Sequence, residues 1–146
     1  MRNLALALVA LAVVTLATEV VLRTTHAFNA RLAWTEPDRE IGYRFTPGRW
    51  YWFFAENDHP IEGRINSHGW RDRERTRAKP AGSLRVAFLG DSFVEAFQVE
   101  LDSTFVAIAE RRLAEAAGGR RVECLNFGRS GMTTTEERIL LEREVL

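Results

Sequence analysis

Residues 4–22, LALALVALAVVTLATEVVL, are apolar except for Thr15, Thr18 and Glu19. The apolar positions surround the whole circumference of the helix they predict, as in a lipid-facing span rather than a one-sided amphipathic helix. Such a helix would extend about 28 Å, close to the hydrocarbon thickness of a bilayer. Residues 1–23 therefore read as an uncleaved anchor or a signal segment cut near Thr15-Leu16-Ala17. The anchor is preferred because apolar residues continue to Leu22. A buried soluble helix is the bland alternative. Glu19 is a cost in lipid that a position near the helix end relieves. The helix is expected to stand apart from the rest of the chain.

The pattern changes over residues 24–83. Gly42–Phe45, Arg49–Phe54 and Ile61–Asn66 predict short strands, divided by Pro47-Gly48 and by Glu56-Asn57-Asp58-His59-Pro60. All four tryptophans (Trp34, Trp50, Trp52, Trp70) lie here. The stretch reads as a small β appendage. Its run Trp50-Tyr51-Trp52-Phe53-Phe54 suits packing against a neighbouring domain first, and a sugar-stacking platform or interfacial belt second. Asn66-Ser67-His68-Gly69 reads as a turn. The alternating charges of RDRERTRAKP, residues 71–80, suit a solvated linker.

From Leu84 to Leu89 only Arg85 interrupts the apolar run, which predicts a parallel strand buried on both faces. It breaks at Gly90 into Asp91 and Ser92. Asp102 or Ser103 then caps a helix running to about Ala117. Phe105, Ile108, Ala109, Leu113 and Ala116 form its inward face. Arg121–Phe127 is a second strand and residues 128–131 are a loop. Thr133 with Glu136, or Thr134 with Glu137, makes a capping box for a last helix. The β-α-β-α order implies parallel strands in an α/β domain over residues 84–146.

Charge and cysteine content narrow the field. Lys plus Arg and Asp plus Glu both number 20, which gives no argument for nucleic acid as a partner. The single Cys124 excludes an internal disulfide framework and a multi-cysteine metal site. It reads as a small buried hydrophobe. No metal or other cofactor is expected. A phosphate-binding α/β domain is disfavoured by the lack of a Gly-x-Gly-x-x-Gly or P-loop spacing.

The residues then carry a resemblance. VAFLGDSF, followed 39 positions after its serine by the last glycine of LNFGRSG, resembles the first two sequence blocks of the SGNH (GDSL) hydrolases. INSHGWRD upstream is similar to a segment preceding the catalytic domain in membrane-anchored bacterial members. Phe93 stands where the family name has leucine. The resemblance implies the amino-terminal part of a flavodoxin-like three-layer α/β/α parallel-sheet domain, preceded by the transmembrane helix and the β-rich appendage. It implies Ser92 as nucleophile, the backbone N–H groups of Ser92 and Gly131 as the oxyanion hole, and Asp91 and Asn126 as supporting residues that brace the loops. A serine hydroxyl needs a base to take its proton. Glycine lets backbone approach the reacting carbonyl.

The family also uses an asparagine in a Gly-x-Asn-Asp block and an Asp-x-x-His pair, and residues 1–146 contain neither. His26, His59 and His68 all precede Ser92, and none matches the family's histidine. The expectation is the front part of a longer or truncated serine esterase or O-acyltransferase, inactive alone. Its substrates would be acyl esters, of envelope glycans or lipids. The alternative is a non-catalytic, membrane-anchored module that binds glycan or acyl groups. Membrane contact is expected through residues 4–22, with the domain on the extracytoplasmic side. Arg23, Arg31 and Arg39 bias the carboxyl side mildly towards the cytoplasm, a rule that weakens when a whole domain follows. Ser92 and Gly131 should lie at the same end of the sheet. The strand 84–89 should be an edge.

Overall fold

The computed structural model describes residues 2–25, 34–54 and 60–146. His26, Arg31 and the turn residues 56–59, with His59, fall outside the described residues. The chain divides into two units, residues 1–30 and 31–146.

The first unit is one helix, α1 (Arg2–Thr25). Its segment Asn3–Thr24 is long and apolar enough to cross a membrane, and none of its most apolar stretch is buried. Glu19 pairs with Arg23 one turn on, at 2.6 Å, so the acidic residue meets a cation of its own helix near its end.

In the second unit β1 (Thr35–Asp38) pairs antiparallel with β2 (Gly42–Phe45). β3 (Trp50–Phe54) pairs antiparallel with β4 (Pro60–Arg64). Strand β1 is not foreseen, because Pro37 demotes TEPD as a strand. A two-stranded sheet has an edge at every strand, where proline costs little. The aromatics of these hairpins close around one residue from elsewhere. Phe97 is fully buried against Phe45, Tyr51 and Phe53, with ring centroids 5.6, 4.6 and 5.9 Å apart. Packing thus claims Tyr51 and Phe53, as the first reading of the aromatic run expects.

β5 (Leu84–Gly90) and β6 (Val122–Gly128) form a parallel pair, in register from Leu84↔Val122 to Gly90↔Gly128. Between them lie α2 (Ser92–Glu95), a 3-10 turn (Leu101–Ser103) and α3 (Phe105–Ala116). α4 (Thr134–Leu140) follows β6 and runs into a π-helical turn (Leu141–Val145). Val106 of α3 packs with Val122 and Cys124 on one side of the sheet. Leu140 of α4 joins Ile41, Trp70, Phe127 and Met132 on the other. Cys124 is buried, and burial pushes its thiol pKa up, which keeps it a neutral core residue.

Several expectations need correction. The cap of α3 is Thr104, whose hydroxyl accepts from the Ala107 N–H at 3.2 Å, and not Asp102 or Ser103. The buried residues of α3 are Val106 and Ala107, whereas Phe105 and Leu113 are exposed. β5 is half-buried and β6 is the buried strand. One cause serves both: among the described residues β5 has β6 as its single neighbour, so little lies beneath the outer part of α3. Phe105 reaches Phe88 edge-to-face and is otherwise open. Among the described residues the strand 84–89 is an edge, as expected.

The first half of the run 71–80 is no solvated linker, whereas residues 76–79 are exposed. Asp72 and Arg75 meet the outer edge of β6, where a strand edge leaves N–H and C=O groups unpaired. The Asn126 N–H donates to Asp72 Oδ2 at 3.2 Å, and the Cys124 N–H to Glu110 Oε2 at 2.7 Å. Arg75 bridges Glu110 at 2.6 Å and reaches the Cys124 carbonyl oxygen at 3.4 Å. Burial raises the Asp72 pKa, an effect that the Arg75 charge opposes. The alternating charges thus close an edge with side chains of both signs.

Of the two foreseen capping boxes, Thr133 with Glu136 forms, with the Thr133 N–H donating to Glu136 Oε2 at 2.7 Å. That hydrogen bond holds the Glu136 pKa below the usual carboxylate value, and the Arg129 charge adds to it. A lowered folded-state pKa gives stability that is present above the unfolded pKa and lost as pH falls through the folded one. Glu136→Ala should therefore cost about 1 kcal/mol near neutral pH and little in acid. Glu136→Gln should keep most of the cap and lose that share of the pH dependence. Melting curves between about pH 3 and pH 7 check both. An equal Tm loss for Glu136→Ala at both ends would refute the assignment.

Candidate functional site

The site is built at the carboxyl ends of β5 and β6, where α/β sheets place their ligands. Gly90 and Gly128 are register partners, and the Arg129 N–H donates to the Gly90 carbonyl at 3.0 Å, prolonging the ladder by one bond. Ser92 lies two residues beyond the first strand end and Gly131 three beyond the second, so both stand at the same end of the sheet.

Asp91 caps α2, its Oδ1 accepting from the Phe93 N–H at 3.0 Å. That puts Ser92 at the first position of α2, half-buried, with Phe93 next to it 81 % exposed. Gly131 has φ +74°, a conformation that costs other residues about 1–2 kcal/mol. Open space surrounds the position a Cβ would take, so glycine is needed there for backbone shape and not for room. Among the described residues neither the Ser92 N–H nor the Gly131 N–H has an acceptor.

Asn126 ties the two loops together. Its Nδ2 donates to the Val94 carbonyl at 2.9 Å, and its Oδ1 accepts from the Gly128 N–H at 2.8 Å. Asp91 and Asn126 thus brace backbone, the geometry expected of both.

Sequence reasoning missed four further residues. Glu95 is fully buried; its Oε1 accepts from the Ser130 N–H at 3.0 Å and its Oε2 from the Ser130 hydroxyl. The carboxylate therefore fastens α2 to the loop that carries Gly131. The Tyr43 hydroxyl donates to the Ser130 carbonyl at 2.8 Å, and Arg129 lies over the Tyr43 ring at 4.5 Å. Arg71 is 1 % exposed and reaches the carbonyls of Glu95, Ala96 and Val99. The one available signal was a lone acid inside the apolar stretch Phe93–Phe97. Arg71 was hidden among neighbouring charges.

His68, the one histidine among the described residues, is exposed, and its Nε2 lies 2.7 Å from the Arg75 carbonyl oxygen. It borders a cavity of about 290 Å³ whose wall includes Trp70, Asp72, Arg75, Arg85 and Phe127 but neither Ser92 nor Gly131. The arginines of this cavity already face carboxylates: Arg75 meets Glu110 and Arg85 meets Glu123 at 2.7 Å. The cavity is therefore separate from the strand-end site and holds no unpaired basic wall.

No protein-family model, no curated protein and no solved structure matches the chain.

Proposed function

We propose that the strand-end site is a serine acyl-transfer site. Its type would be that of the SGNH (GDSL) hydrolases, in the front part of a flavodoxin-like α/β/α domain tethered to a membrane by α1. The observation that carries this reading is the pairing of Gly90 with Gly128, which puts the loops of Ser92 and of the unpartnered Gly131 N–H at the same end of the sheet. In this reading Ser92 Oγ attacks the carbonyl carbon of an acyl ester. The tetrahedral oxyanion accepts from the Ser92 and Gly131 N–H groups, worth about 2.7–4 kcal/mol per donor. The proton from Ser92 passes to a general base. The tetrahedral intermediate then collapses with cleavage of the ester C–O bond, and the alcohol departs with a proton returned by the base. The acyl group held on Ser92 Oγ passes to water or to an acceptor hydroxyl of an envelope glycan or lipid on the extracytoplasmic side.

A second reading is a membrane-anchored module that binds acyl or glycan groups without turnover. It draws support from His68, whose Nε2 faces the Arg75 carbonyl and whose cavity excludes Ser92.

An external base separates the two. The chain is treated with an activated acetate ester, with and without 2-methylimidazole, and the acetylation of Ser67, Ser83, Ser92, Ser103 and Ser130 is compared by mass spectrometry. Base-dependent acetylation selective for Ser92 is the expected result. Gly131→Val, which displaces the N–H, should slow it about tenfold or more. Acetyl groups spread evenly over the five serines, with or without the base, would reject the nucleophile and leave the binding module.

A further inference from the structure

The aromatic strand β3 is only half used by the core. Its register with β4 sets Tyr51 against Gly63 and Phe53 against Ile61, and these two aromatics pack on Phe97. Trp52 packs edge-on against Trp34, at 5.8 Å. Trp50 and Phe54 remain 65 % and 40 % exposed. Four residue steps along the strand separate them, roughly 13 Å. Core packing explains the inner aromatics and leaves these two without a reason, and exposed large aromatics on one small element mark a contact surface.

Their chemistry favours one kind of surface. Tryptophan combines a large apolar ring with an N–H donor, the amphipathic character enriched at the membrane–water interface. Arg49 precedes Trp50, and Arg64 is its cross-strand partner; both are exposed. Cations beside an interfacial ring complement phosphate headgroups. The chain also supplies the surface, because α1 is long and apolar enough to cross a bilayer. From Thr25 to Trp34 the backbone can reach at most about 30 Å. A short tether raises the effective concentration of bilayer at the hairpin, an advantage that a soluble glycan lacks.

We propose that Trp50 and Phe54 seat the β3–β4 hairpin in the interface of the bilayer that α1 crosses, with Arg49 and Arg64 at the lipid phosphates. The inference rests on reading α1 as an anchor and is independent of the chemistry at Ser92.

Tryptophan emission can test it on the full chain. α1 contains no tryptophan, and Trp34 and Trp70 are buried, so Trp50 is the indole most open to a quencher. The chain is reconstituted into phosphatidylcholine–phosphatidylglycerol vesicles whose acyl chains are brominated near the headgroup. Bromine should quench a part of the emission that is missing in Trp50→Phe. Phe54→Ser, which keeps the reporter, should cut that quenching at least twofold and raise the access of acrylamide to Trp50. Carbonate extraction is run on the same vesicles. Retention in the membrane with no bromine quenching beyond that of Trp50→Phe overturns the docking and leaves the anchor standing. Release by carbonate overturns the anchor and the docking with it. Shielding of Trp50 by an added neutral oligosaccharide, without bromine quenching, assigns the surface to glycan instead and also overturns the proposal.

Discussion

Arg71→Met should destabilise the 31–146 unit by about 3–5 kcal/mol, among the largest effects a single side chain can have. Arg71 is a buried cation whose hydrogen bonds to Tyr51, Glu95, Ala96 and Val99 all run to neutral oxygens. Nε donates to the Tyr51 hydroxyl at 2.9 Å, and the terminal nitrogens donate to the carbonyls of Glu95, Ala96 and Val99 at 3.2, 2.8 and 2.5 Å. The rings of Tyr51 and Phe97 lie 5.4 and 5.1 Å from its central carbon. Methionine fills much of the volume but strands these acceptors, each at a cost of roughly 1–3 kcal/mol before relaxation. Lysine keeps the charge but not the planar fork, so Arg71→Lys should fall between the two. The Tm of Arg71→Met should drop by at least about 10 °C. A drop within about 2 °C of zero would show that water or neighbouring groups satisfy those carbonyls. The same residue joins the hairpins to the turn after α2, so the variant should also slow base-assisted acetylation of Ser92.

Arg71 marks the boundary of what the sequence discloses. The βαβα order, the strand ends at Gly90 and Gly128 and the Thr133–Glu136 box were legible because each rests on local chemistry: an apolar run, a glycine break, an S/T-x-x-E spacing. The shared sheet end of the Ser92 and Gly131 loops also followed, since parallel neighbours put both loops at one end. The charged run 71–80 was illegible for the opposite reason. Its partners Glu110, Cys124 and Asn126 lie far along the chain, and nothing local separates a solvated arginine from one that closes a strand edge. Glu95 fails in the same way, because its partner Ser130 lies on another loop. The inward face of α3 was misjudged because helical periodicity gives the direction of a face and not the width of the sheet beneath it. Phe105 and Leu113 have the right spacing, but among the described residues no strand lies beyond β5 to cover them.

Gly128→Ala should be the more damaging of two like substitutions at the strand ends, costing about 3 kcal/mol, the upper range for overpacking. A Cβ at Gly128 would fall under 3.0 Å from the Glu95 backbone nitrogen and the Val94 carbonyl carbon, and 2.8 Å from Glu95 Cα. Those are backbone atoms of α2, so relief requires the whole helix to move. That motion would carry Ser92 and Glu95 with it and loosen the Ser130 contacts that hold the Gly131 loop. At Gly90 the crowding atom is Val94 Cγ2, a side-chain methyl, with Val94 Cβ at 3.3 Å. Gly90→Ala should therefore be largely rescued by Val94→Ala, which deletes that methyl, with a coupling energy of at least about 1 kcal/mol. The same second change should do nothing for Gly128→Ala, because the atoms in its way remain. Urea denaturation of the singles and both doubles gives the two cycles. Equal rescue at both glycines would mean that α2 approaches β6 through side chains alone, and the close backbone contact that positions Ser92 would have to be abandoned.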